Sequence, residues 1–130
     1  MKTLRTIIIH GERPKSWNEF HSRKHWSVRS AESQRVHALV RSMLEPSDRP
    51  FDVPVAIRFT VYYKNRPQDS CNIMAKPYTD GMLAKGDYEH GHRSLLWDDD
   101  MRYVTQTTTI PRVDKDNPRV VIEILEDESD

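Results

Sequence analysis

The chain has a single cysteine, Cys71, among 130 residues, so no disulfide can close within it. A lone thiol suits a reducing, cytoplasmic setting. No apolar run approaches the roughly 20 residues needed to span a bilayer. The first residues offer only Leu4 to Ile9, interrupted by Arg5 and Thr6. That stretch is too short for a secretory signal and reads better as a strand. Neither charge is in excess: twenty Lys and Arg face twenty Asp and Glu, for a formal net charge of +0. This balance argues against a uniformly basic nucleic-acid binder. Repeats, low-complexity stretches and an internal linker are all lacking, so residues 1–130 are expected to form one domain.

The charges are unevenly placed. Residues 1–50 carry ten Lys and Arg against five Asp and Glu, and residues 51–130 carry ten against fifteen. A basic N-terminal segment could meet phosphates, while an acidic centre could hold metal. Chance clustering of surface charge is the plain alternative.

The apolar pattern sets the expected elements. Residues 3–10 (TLRTIIIH) read as a strand, and 11–29 as a long loop with Gly11, Pro14 and Asn18. Val36, Leu39, Val40, Met43 and Leu44 have helical spacing, with Ser30 as the expected N-cap. In 53–63, Val55, Ile57, Phe59 and Val61 alternate onto one face of a strand. A helix is expected over 73–83, with Pro77 in its first turns and Gly86 as C-cap. Residues 103–110 (YVTQTTTI) read as a strand, 111–118 as a turn and 119–126 (RVVIEILE) as a last strand. The acidic tail 126–130 is expected to be frayed and disordered. Two antiparallel terminal strands with helical crossovers predict an α+β fold: a mixed β-sheet of about four strands with helices on one face.

The acidic residues fall in two segments, Asp69 to Asp80 and Asp98 to Asp100. On a helix Lys76 and Asp80 are i and i+4 and share a face. Carboxylates at element ends suit an oxygen cage for Mg²⁺ or Mn²⁺. Such an ion serves phosphodiester hydrolysis, and a neighbouring lysine can stabilise the charge that develops. Solvated caps and a surface i,i+4 pair are the alternative reading. The histidines are six, but His90 and His92 form only a weak pair, and no cysteine pair or third ligand has zinc-site spacing. They read as polar loop side chains. Arg13, Lys15, Arg23, Lys24 and Arg29, with Asn18, are interleaved with Trp17, Phe20 and Trp26. That mixture suits phosphate contact and base stacking, although the tryptophans could equally pack the loop on the core.

Together these motifs resemble the RusA family of Holliday-junction endonucleases. The family carries Asp-x-Asp-Asn, then a lysine, then Asp-Ala/Gly-Leu four residues after it, then Asp-Asp before a strand. Here Asp69, Cys71 and Asn72 are followed by Lys76, by Asp80-Gly81-Met82-Leu83 and by Asp98-Asp99, with Tyr103-Val104 in the phage-type register. Pro14 to Asn18 is similar to the family's loop after the first strand. The resemblance implies a RusA-like homodimer that cuts four-way junctions and other branched DNA by paired, Mg²⁺- or Mn²⁺-dependent hydrolysis in DNA recombination and repair. It implies Asp69 and Asp99 as metal carboxylates and Lys76 as the catalytic lysine. Asp80 would lie near the metal or orient Lys76, Asp98 would stand behind them, and Asp100 has no clear counterpart. A phage or prophage origin would fit. Three positions depart from the pattern. Cys71 replaces the second Asp, Lys76 lies one residue further on, and Asp87 to Ser94 is longer. Thiols are poor ligands for hard cations, so Asp80 is expected to supply the missing oxygen. A catalytically inactive junction-binding relative and a small soluble interaction protein are the alternative functions.

Overall fold

The computed structural model describes residues 1–16, 19, 26–67, 69, 72–84 and 93–128, without the side chains of 26–28. Asn18, Arg23, Lys24, Cys71, Gly86, His90 and His92 lie outside the described residues, as do Trp17, Phe20 and the end of the tail.

Four strands and two helices follow in the order β1 (Thr3–His10), α1 (Trp26–Ser42), β2 (Val55–Tyr63), α2 (Lys76–Asp80), β3 (Val104–Val113) and β4 (Arg119–Glu126). The strands form one sheet in the order β1-β4-β2-β3. β4 pairs antiparallel with both β1 and β2, and β2 pairs parallel with β3. The fold is therefore α+β with a mixed four-stranded sheet. The order has a reason in composition. Seven of the nine residues of β2 are buried, and in β4 Val120, Ile122 and Ile124 have no exposed surface, so both belong inside the sheet rather than at an edge. β3 and β4 run antiparallel but are not neighbours, because β2 lies between them.

The alternation in β2 sorts the two faces. On one face, Ile7, Ile122, Phe59 and Thr109 form a row across the four strands, and Ile9, Val120, Val61 and Pro111 form the next. The apolar members of these rows are core. Val36, Val40 and Leu44 from α1 and its end, and Tyr78 and Met82 from α2 and its end, cover them. The Tyr78 ring meets Phe59 edge-on at 6.1 Å between centroids. The helices thus lie on one face of the sheet, and the other carries Thr6, Ile8, Arg58, Tyr62, Arg119 and Glu123.

The helix ends differ from expectation. α1 begins at Trp26, so Ser30 is inside the helix and not its N-cap. α2 has only five residues, capped at its C-terminus by Gly81. Ile73 is in a bridge to Ser16 instead. The Met82 carbonyl accepts from Leu95 N at 2.9 Å and Leu96 N at 3.1 Å. Leu83 bridges to Leu96, so bridges at Ile73 and Leu83 confine the helix between them. A Cβ on Gly81 would stand 2.9 Å from the Val40 Cβ and 3.2 Å from the His37 Cα. Glycine is required there because α2 ends directly against the backbone of α1. β3 runs on through Pro111 to Val113, where a turn was expected. An edge strand tolerates proline, since one of its sides has no ladder to lose. The segment 11–29 is not simply loop. Ser16 N donates to Glu19 Oε1 at 3.2 Å, and Glu19 N donates to Ser16 Oγ at 3.0 Å. Ser16 and Glu19 thus satisfy each other's backbone N–H groups, the reciprocal bonding that a capping box uses.

Among the described residues no helix is long and apolar enough to cross a membrane.

Candidate active site

Parallel pairing of β2 and β3 forces the chain to return to the starting end of the sheet. All five acidic and basic candidates, Asp69, Lys76, Asp80, Asp98 and Asp99, lie on that return path. Its anchors are backbone bonds from Phe51 N to Leu95 O at 3.1 Å and from Val55 N to Tyr103 O at 2.9 Å. They seat Asp98 to Asp100 beside the start of β2.

α2 brings the other half. Tyr78 and Thr79 turn inward and are buried, which leaves Lys76 and Asp80 on the outer side one helical turn apart. Burial pushes the Tyr78 phenol well above its ordinary pKa, so it stays neutral and serves as an anchor rather than a base. Lys76 Nζ donates to Asp80 Oδ1 at 3.3 Å and to Asp99 Oδ2 at 3.0 Å. One ammonium therefore holds two carboxylates from separate segments. The hydrogen bond to Asp99 raises the Lys76 pKa, burial opposes this in part, and Asp80 adds to the rise. The same bond holds the Asp99 carboxyl below its usual range against a smaller effect of burial. Lys76 thus stays a cation and Asp99 an anion at neutral pH. The two line a pocket of about 260 Å³ with Ala75, Thr79, Val104 and Thr107.

The other expected residues are placed differently. Asp98 Oδ1 accepts from Asp99 N at 2.8 Å, so this side chain shapes the turn that carries Asp99. Asp69 is exposed, and its carbonyl accepts from Asn72 N at 2.9 Å. The structure does not gather the Asp69 carboxylate into the Lys76 cluster: among the described residues no three His, Cys, Asp or Glu side chains group as a metal cage would. Asp100 is more than a solvated carboxylate, since it pairs with Arg102 at 2.8 Å. Of the basic segment, Arg13 pairs with Glu19 at 3.2 Å. Lys15 and Arg29 are half-buried, and none of the three lines the pocket.

His37 was read as a loop side chain and is instead on α1, with Nε2 4.0 Å from Asp80 Oδ2. The signal was present in the sequence. His37 follows Val36 in the helical stripe that Val40 continues, so it flanks the buried face.

The donor chemistry fits a hard divalent ion. Asp80 and Asp99 offer carboxylate oxygens, and Mg²⁺ is commonly held by one or two carboxylates while it keeps several waters. Asp80 and Asp99 are the residues that would hold it, and the ion would supply Lewis-acid stabilisation of a phosphate. A tetrahedral nitrogen and sulfur set of the kind zinc takes is not formed by these oxygens.

The chain matches no family model and none of the curated proteins with which it was compared.

Proposed function

We propose that the Lys76 pocket is the hydrolytic centre of a Mg²⁺- or Mn²⁺-dependent endodeoxyribonuclease that cuts Holliday junctions and other branched DNA, in the manner of the RusA family. The observation that carries this reading is the single ammonium of Lys76 on the carboxylates of Asp80 and Asp99, 3.3 and 3.0 Å away, at the wall of a pocket. Phosphodiester hydrolysis needs charge stabilisation at the phosphate and at the leaving oxygen. A lysine whose pKa its carboxylate neighbours raise provides a cation, and the carboxylate pair a hard-ion donor set. The order Asp69, Asn72, Lys76, Asp80-Gly81, Asp98-Asp99 also supports it as a sequence resemblance.

In this reading Lys76 stabilises the phosphate charge, Asp80 and Asp99 hold the ion and Asp98 fixes Asp99. Asp69 is the further metal carboxylate that the resemblance implies. The protein works in the cytoplasm as a homodimer, whose two-fold axis matches that of a four-way junction and gives paired cuts. Arg13, Lys15, Asn18, Arg23, Lys24 and Arg29 contact the DNA backbone. The test is incubation of the protein with a labelled four-way junction and Mg²⁺ or Mn²⁺, with products separated on a gel. Symmetric nicks support the proposal. A shifted but uncut band points to a junction-binding protein, and neither outcome with any divalent ion removes the proposal.

A further inference from the structure

The sheet is electrically polarised along its strands. β1, β2 and β3 point one way and β4 the other. One end of the sheet therefore gathers Asp52, Asp98, Asp99, Asp100, Glu126, Asp127 and Glu128, with Lys2, Lys76 and Arg102 among them. The opposite end gathers the C-termini of β1, β2 and β3 and the N-terminus of β4. There Lys64 and Arg66 follow β2, Arg112 ends β3, Lys115 lies in the next turn, and Arg119 begins β4. Against these five cations stand Glu12, Asp114 and Asp116, with Asp69 three residues beyond Arg66.

The register aligns part of this end into a row on the face away from the helices. Arg112 is opposite Tyr62, Tyr62 is opposite Arg119, and Arg119 is opposite His10. The Arg119 guanidinium lies 3.8 Å from the Tyr62 ring centroid and bonds Asp114 Oδ2 at 2.8 Å. Asp114 also accepts from the backbone N of Asp116 and Asn117, both at 3.2 Å. The carboxylate that could neutralise this end is thus committed to Arg119 and to its own turn. Glu12, which follows β1, is committed to Arg35 at 3.1 Å. Lys64, Arg66, Arg112 and Lys115 are exposed and make no ion pair among the described residues.

Cations that outnumber the carboxylates around them attract polyanions. We propose that this basic end of the sheet is a DNA-backbone contact in addition to the N-terminal basic segment, in which Lys64, Arg66, Arg112 and Lys115 each meet a phosphate. The proposal rests on the reading of the protein as a DNA-processing enzyme. The spacing of the four cations across the ends of two adjacent strands suits a duplex arm laid across the sheet end. Tyr62 and Arg119 form the rigid floor, which is why Arg119 is a positioning residue here.

The test is binding of a four-way junction in EDTA, which suppresses metal-dependent cleavage, over a range of salt concentrations. Each phosphate contact contributes about 0.9 to the slope of log affinity against log salt. The combined Lys64→Ala, Arg66→Ala, Arg112→Ala and Lys115→Ala variant should lower that slope by about 3 to 4 and weaken binding at least tenfold. An unchanged slope overturns the proposal, as does a change in the variant's oligomeric mass, which would make this end a protein interface. Should the variant fold poorly, acetylation of the native protein decides. Lys64 and Lys115 should become protected when the junction is bound, and equal labelling with and without DNA overturns the proposal. A native protein that binds by this end but never cuts would refute the nuclease reading and leave this surface standing.

Discussion

Gly81 gives the sharpest structural prediction. Its backbone is right-handed helical, with φ −67° and ψ −16°. Alanine accepts that conformation, and on backbone entropy alone Gly81→Ala should stabilise the fold by about 0.4–1 kcal/mol. The neighbours reverse the sign. The new Cβ would sit 2.9 Å from the Val40 Cβ and 3.3 Å from the His37 carbonyl oxygen. Carbon atoms prefer about 3.5–4.0 Å, so α1 and the end of α2 must part by roughly 0.5–1 Å. None of the three close atoms belongs to a flexible side-chain tip, so the strain cannot be relieved by a rotamer change. Overpacking of this kind costs about 1–3 kcal/mol. Asp80 is the residue before Gly81 and shares the displacement, which should loosen its contact with Lys76. Urea unfolding followed by tryptophan fluorescence should show a lower midpoint at unchanged slope. Val40→Ala should not rescue it, because the clashing Cβ remains. A Gly81→Ala protein as stable as the native one would refute the close seating of α2 on α1.

Two further outcomes follow from particular residues. Asp48 is partly buried, and that burial is outweighed by hydrogen bonds from Arg5 at 3.2 and 3.1 Å and from Glu45 N, which hold its carboxyl low. A depressed carboxylate stabilises above its unfolded pKa of about 3.9 and loses that contribution as pH falls through its folded value. Asp48→Asn should therefore lose about 1–3 kcal/mol at pH 7, and its deficit should shrink in melts below pH 4, whereas a constant deficit would remove the ion pair as the cause. Cys71→Ser should leave Mg²⁺-dependent cleavage nearly native while Asp80→Asn lowers it a hundredfold or more, about 2.7 kcal/mol in the barrier; loss in the serine variant with Asp80→Asn intact would reverse the assignment of oxygen donors.

How much of this was legible in the sequence depends on which residues carry the signal. Strands β1, β2 and β4 announce themselves because each buries one face in the same core, so alternation such as Val55, Ile57, Phe59 and Val61 is kept by packing. The mixed sheet with helices on one face also follows from the pattern. Element ends were less readable. α2 shows no side-chain cap at its start, and its end is fixed by contact with α1, a tertiary constraint with no local signature. The strand order was hidden for a similar reason. A short turn usually joins neighbours, yet residues 114–118 carry the chain past the end of β2. At the site, the i,i+4 spacing predicted the Lys76–Asp80 pair, and the Asp98-Asp99 motif placed a carboxylate nearby. Spacing alone could not show that Asp98 would bond to the backbone of Asp99, or that Asp69 would stand outside the cluster. Nor could it bring His37 to Asp80, since 43 residues separate them in sequence and only helix packing joins them.

In the proposed reading the Lys76, Asp80 and Asp99 cluster performs metal-dependent hydrolysis of branched DNA. Cleavage and binding of a labelled four-way junction by the native protein and by Asp99→Asn, measured side by side in Mg²⁺ or Mn²⁺, test it most directly. Asp99→Asn keeps the shape of the side chain but removes the charge that holds Lys76 and would hold the ion. The native protein is expected to cut, and Asp99→Asn to bind the junction with near-native affinity without cutting it. An Asp99→Asn protein that cuts at the native rate would contradict that reading.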